Sequence, residues 1–488
     1  MSDVKVSGVV VPHADAVFVG GDWVPASGAA YEVVSPATEQ PVAEVVLPGE
    51  SEARAAIEAA HEAGRTSWGS LPVTSRVEIC ERFCSVLEAQ VADIGTVWAA
   101  EAGMPVHYSA TLHKFGAVGA WSAALAGAQD ALRDDLRTSL LGDVVVRREP
   151  AGVVLAIMAY NGPLVTMATK VIPALLAGCP VVVKAAPESQ LIMRIVGECA
   201  AAAGFPFGAL SILCGDAAVG RLMTADPRVD MVSLTGGQAA AQQVIEATRA
   251  RFARTHLELG GKSPALVLDD APLDRVLKSL VPGATSGTGQ VCAALSRILI
   301  SERRHDELIE MLRTAWEGLR IGDPLDPQTR VGPLTTSAAL DRTEGFVARA
   351  TAAGGRIVVG GGRPADLETG WFYEPTLVTD VAPDADLAQH EVFGPVTTVQ
   401  TYTDFEDGLR LANETSFGLA ATVYTTNRSV ALEAASRISA GSVAINTFGP
   451  AVSAPFGGVK GSGWGRESGP EGIQEFTELK QIVLGPGL

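Results

Sequence analysis

The chain has 488 residues, enough for about two to four domain-sized units, and its 47% hydrophobic content with 52 Gly and 28 Pro is that of a globular protein with a large core. Acidic residues (55) outnumber basic ones (37), for a formal net charge of −18, and no Lys/Arg run interrupts that excess; nucleic acid is excluded as an expected partner. The N-terminus "MSDVKVSGVVVPHADAVFVGGDW" lacks a secretory pattern and no apolar run reaches about 18 residues, so neither export nor a membrane association is expected.

In chain order, residues 51–64 read as a helix with a Ser start and a Gly stop, and residues 74–102 as a second, longer helical region. Between 128 and 150 a hairpin is expected, interrupting the first domain. From 151 onward, β-rich runs ("AGVVLAIMAY", "PVVVKA", "LSILCG", "DMVSLTGG", "THLELGG") alternate with helical stretches, the first of them 163–178. That alternation predicts βαβ units and a parallel sheet, whose ligands bind at the carboxyl ends of the strands. Asn161, Lys184, Gly215, Gly236 and Glu258 stand at those ends. Six further strand-like runs between 296 and 446 predict a second α/β domain. The tail "ELKQIVLGPGL" ends in a strand-like run; with the hairpin it offers sheet edges for subunit contacts.

The six cysteines, Cys80, Cys84, Cys179, Cys199, Cys214 and Cys292, form no CxxC and no zinc-like spacing with His, so no metal is predicted and free thiols in a reducing cytoplasm are expected. Cys292 lies in "SGTGQVCAALSR", almost without charge, at the junction of a Gly-containing turn and an apolar strand. Read alone it is a small core hydrophobe or a nucleophile on a turn. No strict GxGxxG occurs; the loosened form at Gly360, Gly362 and Ala365 reads as a loop. Gly236 and Gly237, between a strand and a helix, suit either a plain turn or the approach of a phosphate to a helix N-terminus.

Seven motifs stand in order: "REPAGVVLAIMAYNGPL", "VVVKAAPES", "VSLTGG", "LELGGKSP", "GQVCA", "EVFGPV" and "PFGGVKGSGWGRESG". Together they resemble the NAD(P)-dependent aldehyde dehydrogenase superfamily, from about residue 20 to about 482. The resemblance implies an α/β fold with a Rossmann-type cofactor domain (1–127 and 151–257), an α/β catalytic domain (258–450), a returning segment (451–475), and a small β oligomerisation element from the hairpin 128–150 and the tail 476–488. It implies a cytoplasmic homodimer or homotetramer.

Cys292 matches the family's nucleophile, which attacks the aldehyde carbon as a thiolate. Asn161 matches the side-chain amide that donates to the developing oxyanion, and Glu258 the general base that activates water against the thioester. Lys170 and Glu467 match positions that relay the proton outward. On the cofactor side the resemblance implies Lys184 at the adenosine ribose, Gly236 and Gly237 at the pyrophosphate, Glu391 at the nicotinamide ribose and Phe393 beside the nicotinamide, with Ala159 and Gly220 also lining the site. The expected cofactor is NAD, with NADP as the alternative. Pro187 stands where NAD-preferring members carry Glu, and Glu188 follows it. Ala241 replaces a glycine often found there. Gly162 and Thr169 occupy positions where other members place aromatic rings; with Met167, Trp121, Val291, Phe448 and Phe456 they predict an open apolar tunnel for a bulky aldehyde. The alternatives are a CoA-acylating dehydrogenase, against which Glu258 speaks, and a non-catalytic binding protein on the same scaffold.

Overall fold

The computed structural model describes residues 2–485. Two parallel-centred sheets organise it. The first has eight strands, and its middle five are parallel: Arg254–Glu258, Met231–Thr235, Val154–Ile157, Val181–Ala185 and Leu210–Cys214, in that spatial order. Their near-continuous apolar sequences follow from burial on both faces. Alternate residues divide between two cores. Ala156 and Val183 face one with Phe18 and Ile212, whereas Leu155 and Val182 face the other with Leu234 and Leu257.

The second sheet has seven strands, from Arg356–Val359 at one edge to Ser442–Ile445 at the other. It repeats the arrangement: Val267 and Ile298 lie on one face, Leu266 and Leu299 on the other. All six strand-like runs expected between 296 and 446 are strands. The loosened glycine motif at Gly360 follows the strand Arg356–Val359 and is a loop, as expected.

The structure departs from the sequence reading in five places. The helical region 74–102 is two helices, Val73–Ala89 and Val91–Ala102, parted at Gln90, whose N–H closes a tight last turn onto Leu87 O (3.0 Å). Residues 128–131 belong to the helix Gly119–Ala131, so the hairpin begins later, as Asp135–Ser139 and Gly142–Pro150. The tail strand Thr477–Val483 pairs with Gly142–Pro150 of the same chain, rather than being left for another subunit. The boundary at 258 cuts into a strand of the first sheet, and the returning segment adds Gly463–Trp464 to that sheet opposite Leu257 and Glu258. Finally, Ala16–Val19 and Asp22–Pro25 extend the first sheet, and Pro264–Val267 the second; their signals were too short to read.

The helical stretch 163–178 is present but not uniform. Its middle, Met167–Val171, is π-helical. Pro173 explains this: without an N–H it cannot close the normal turn onto Thr169, and its ring crowds that carbonyl. The widened turn carries Lys170.

Candidate active site

The loop that carries Cys292 begins where the helix Leu273–Thr285 stops. The chain turns through left-handed backbone at Gly287 (φ 58°), Thr288 (φ 58°) and Gly289 (φ 69°). Glycine adopts that region freely, whereas Thr288 is strained. Its hydroxyl is held on both sides by Gly332, donating to the carbonyl (3.2 Å) and accepting from the N–H (3.1 Å). Gln290, fully buried, organises the next step. Its Oε1 accepts from Tyr160 OH (3.2 Å) and the Thr335 N–H (3.1 Å), and its backbone carbonyl accepts from Asn161 Nδ2 (3.0 Å). The Asn161 amide is thereby tied to the turn that presents Cys292. Gln290 was assigned no role from the sequence; the available signal was an amide inside an apolar, uncharged run.

Among the described cysteines five are buried and Cys292 is partly exposed, which favours the nucleophile over the core filler. Burial, and then the nearby Glu258, Glu391 and Glu467, push its thiol well above the ordinary range. The free protein therefore holds a protonated thiol at neutral pH, and a base has to take its proton before it can attack.

Glu258 ends the strand Arg254–Glu258 and is 4% exposed. Burial and the neighbouring Glu467 raise its carboxyl well above the carboxylate range, only partly offset by Lys170. Its Oε1 has no hydrogen-bond partner among the described residues, as suits a group that must accept a proton. Behind it, Lys170 Nζ pairs with Glu467 Oε1 (2.7 Å), both out of solvent, and donates to Ser233 Oγ (3.1 Å). Glu258, Lys170 and Glu467 are thus one buried cluster. Ser233 and the adjoining His256 belong to it too, and the sequence reading missed both.

The first sheet reverses its strand order between Val154–Ile157 and Met231–Thr235, and the crevice there opens at their carboxyl ends. Ala159 follows the first strand; Gly236 and Gly237 follow the second. Gly237 caps the helix Gln238–Thr248 without a side-chain acceptor. Its φ is −83°, and a Cβ built on it meets nothing within 4 Å. Neither backbone strain nor crowding requires this glycine; what it leaves is open space before uncapped N–H groups, the setting that binds a phosphate. Ala241 is buried in the core below. Further along the strand ends, Lys184 is 8% exposed, with Glu188 and Asp216 near enough to oppose the loss of its charge. A Cβ on Gly220 would touch Lys184 Cε (3.6 Å).

Glu391 Oε1 accepts from the Gly261 N–H (3.0 Å), and burial pushes its carboxyl up to about 7. Phe393 packs edge-on against Tyr160, with ring centroids 6.1 Å apart. These placements bring Ala159, Lys184, Glu188, Gly236 and Gly237 to or just beyond the strand ends, with Gly220 on the helix Ala217–Ala225 against Lys184 and Glu391 beside Gly261, and the set fits a dinucleotide.

The expected aldehyde pocket is only partly assembled as read. Gly162 is open, with Val165 Cβ 3.7 Å from where its Cβ would stand. Val291 and Tyr108 flank Gly287 from two sides, and Tyr108 is close enough to Cys292 for each to feel the other's charge. Tyr108, half-buried, was not anticipated. By contrast Met167 (0% exposed), on the π turn, and Trp121 (1%), on the helix Gly119–Ala131, are packed inside the first domain's core; they are corrected from wall to core. Thr169 is also buried, its hydroxyl unpartnered among the described residues. Phe448 packs over Gly283 near Leu295, and Phe456 pairs with Glu467 through backbone hydrogen bonds (2.7 Å).

A profile described as the aldehyde dehydrogenase family matches residues 23–482. The chain belongs to that family. It is therefore an oxidoreductase of the aldehyde dehydrogenase class, and the fold expected from the seven motifs is the one observed. A geranial dehydrogenase of Castellaniella defragrans is 35% identical over 471 residues, covering 96% of this chain and 98% of the relative. A hydroxyisobutyraldehyde dehydrogenase of Mycolicibacterium austroafricanum is 33% identical, covering 96% and 93%. Among solved structures, a Mycobacterium tuberculosis aldehyde dehydrogenase complexed with NAD+ superposes with a TM-score of 0.95 at 35% identity over 100% of both chains. A Staphylococcus aureus betaine aldehyde dehydrogenase in complex with NAD+ gives 0.94 at 28% identity over 97% of each. No helix among the described residues is long and apolar enough to cross a membrane.

Proposed function

We propose that this enzyme oxidises a bulky, hydrophobic aldehyde to its carboxylic acid with NAD+, through a covalent Cys292 intermediate hydrolysed by water. NAD, when bound, supplies the acceptor for the aldehyde's hydrogen and electron pair. The protein's own residues do the rest. The Cys292 thiol, which its surroundings hold protonated in the free protein, gives up its proton to solvent water before it attacks. The thiolate attacks the carbonyl carbon, and the oxyanion is met by Asn161 Nδ2–H and the Cys292 N–H; one such donor is worth about 3 kcal/mol. Once the thioester has formed, Glu258 activates water against it, and Lys170 and Glu467 carry the proton away. Glu391 and Lys184 hold the two riboses, Phe393 packs at the nicotinamide, and Glu188 favours NAD over NADP.

The observation that carries this reading is the convergence of a partly exposed cysteine with a buried carboxylate whose Oε1 is unpartnered among the described residues. The same carboxylate disfavours acyl transfer to CoA, which needs no base to activate water. The half-buried apolar surface formed by Tyr108, Val165 and Val291 favours a large aldehyde, as does the similarity to a geranial dehydrogenase.

Two variants test the chemistry. Cys292→Ala is expected to abolish NADH formation with the fold intact. Glu258→Gln is expected to give a single-turnover burst of NADH and then to stall by at least about 100-fold, the range of a lost general base. Full steady-state turnover by Glu258→Gln would remove the base assignment.

A further inference from the structure

We propose that Ser233 and His256 are positioning residues for the buried Lys170 ammonium, and that they act specifically on the deacylation half of the reaction. The inference rests on the reading of Glu258 as the base that hydrolyses the thioester.

The strands Met231–Thr235 and Arg254–Glu258 run parallel, with Ser233 opposite His256 and Thr235 opposite Glu258. Side chains alternate along a strand, so His256 and Glu258, two residues apart, share a face. The π-helical turn delivers Lys170 to that face. Lys170 Nζ donates to Ser233 Oγ (3.1 Å) and pairs with Glu467 Oε1 (2.7 Å). An ammonium only donates, so Ser233 Oγ accepts there; it also lies 3.0 Å from His256 Nδ1, and in the tautomer whose Nδ1 is unprotonated the hydroxyl's single hydrogen goes to that nitrogen.

That requires Nδ1 to be an unprotonated acceptor. The charged groups facing His256 are Lys170, Arg466 and Arg254, all cationic; with complete burial they hold the imidazole neutral. Beside it lie the edge-on ring of Phe476, at 6.2 Å, and the backbone of Gly465, packed against the imidazole. A neutral ring that keeps its proton on Nε2, which is buried without a hydrogen-bond partner among the described residues, accepts at Nδ1. It locks the Ser233 hydroxyl so that a lone pair always faces Lys170, and the ammonium is held between Ser233 and Glu467. Glu258 in turn is faced by Glu467, Lys170 and Arg466, and Lys170 draws its proton affinity down. An ammonium left with one partner of two is free to swing away from Glu258, and a more distant positive charge leaves Glu258 harder to ionise.

The test uses the full-length enzyme with NAD and an aldehyde in rapid-mixing and steady-state assays. Ser233→Ala and His256→Leu are expected to keep the burst of NADH in rate and amplitude. They should slow the steady phase at pH 7 by about tenfold and move the acidic limb of kcat up by about one pH unit. KM for the aldehyde should stay within about twofold. His256→Asn, whose Oδ1 reaches the position of Nδ1, is expected to recover most of the rate lost in His256→Leu; a damaged core would not be rescued this way. Should His256→Leu fail to fold, Ser233→Ala decides alone, since it removes one oxygen from a strand. A Ser233→Ala enzyme with the wild-type burst-to-steady ratio and pH profile overturns the inference, as does an equal slowing of both phases. Glu258→Gln, run in parallel, separates the two layers. If it stalls while Ser233→Ala behaves as wild type, only the positioning role falls; if it does not stall, the base assignment falls and takes this inference with it.

Discussion

Glu391 is a half-buried carboxylate with one backbone donor, the Gly261 N–H, and the proposed ribose contact asks it to accept more. Burial raises it to about 7, while Gly261, Lys262 and Arg342 pull it back. A raised carboxyl is neutral below its pKa and ionised above it, so the accepting form is populated as pH rises through 7. NAD affinity should therefore strengthen by up to about tenfold between pH 6 and 8, as the ionised fraction grows from about a tenth to about nine tenths. Fluorescence or calorimetric titration of the free enzyme measures this directly. Glu391→Gln should bind NAD more weakly and with no such pH dependence; a wild-type affinity that is flat across that range would dissociate Glu391 from the ribose. Single residues at strand ends, such as Asn161, Lys184, Gly236 and Glu258, were legible from the sequence, because alternation of strand and helix says where a parallel sheet opens. Gln290, Ser233, His256 and Tyr108 were not. Their roles come from distant partners, as with Ser233 and Lys170, 63 residues apart, and Gln290 and Tyr160, 130 apart, or from neighbouring strands, and spacing along the chain carries no trace of such pairs.

At the scale of elements, the hairpin and the tail form a closed unit within the chain. Thr477–Val483 pairs along its length with Val144–Pro150, whose other side pairs with Asp135–Ser139. Two outer edges are left, and around them stand Leu136 (74% exposed), Leu140 (105%), Leu141 (70%) and Leu479 (63%). A monomer gains nothing from apolar side chains in water, so this sheet is the expected contact of a homodimer or of a tetramer of dimers. Removing residues 479–488 would unpair the edge of Gly142–Pro150 as well as delete Leu479, and light scattering should then report monomer or aggregate. A truncated protein of native size would refute the role of the tail. Element types were largely legible, because period-two and helical patterns are local. The π turn at Met167–Val171 was not foreseen, although Pro173 was in plain view as its cause. It matters because it sets which side chains of that stretch reach the site: Lys170 does, while Met167 is turned into the core.

For the whole molecule the open question is which aldehyde enters. No aromatic ring stands at Gly162, where half-buried Val165 lies alongside, and half-buried Tyr108 and Val291 flank Gly287 on the turn that leads to Cys292. Each buried CH₂ contributes roughly 0.8 kcal/mol, so kcat/KM should rise with aldehyde size until the space fills. The expected outcome is at least about tenfold higher kcat/KM for octanal, benzaldehyde or citral than for acetaldehyde, equivalent to about 1.4 kcal/mol, with NAD preferred over NADP. A screen by NADH and NADPH formation checks both. Acetaldehyde or succinic semialdehyde as the best substrate would show the space refilled by other side chains. The position of Met167 and Trp121 in the core already narrows the wall expected from sequence.

By itself the sequence determined the family and the two α/β units, and it singled out Cys292, Glu258 and Asn161 as the proposed catalytic residues. Those rest on the order of seven motifs and on local periodicity, which persist along a chain whatever it folds against. The tertiary structure alone decided what each group meets. Glu258 becomes a high-pKa carboxyl because Glu467, 209 positions later, is folded against it and water is excluded. Lys170 is a buried cation because Ser233 and Glu467 arrive from two other elements. Proton affinity is set by desolvation and by charges a few ångströms away, and both exist only after the chain has closed on itself.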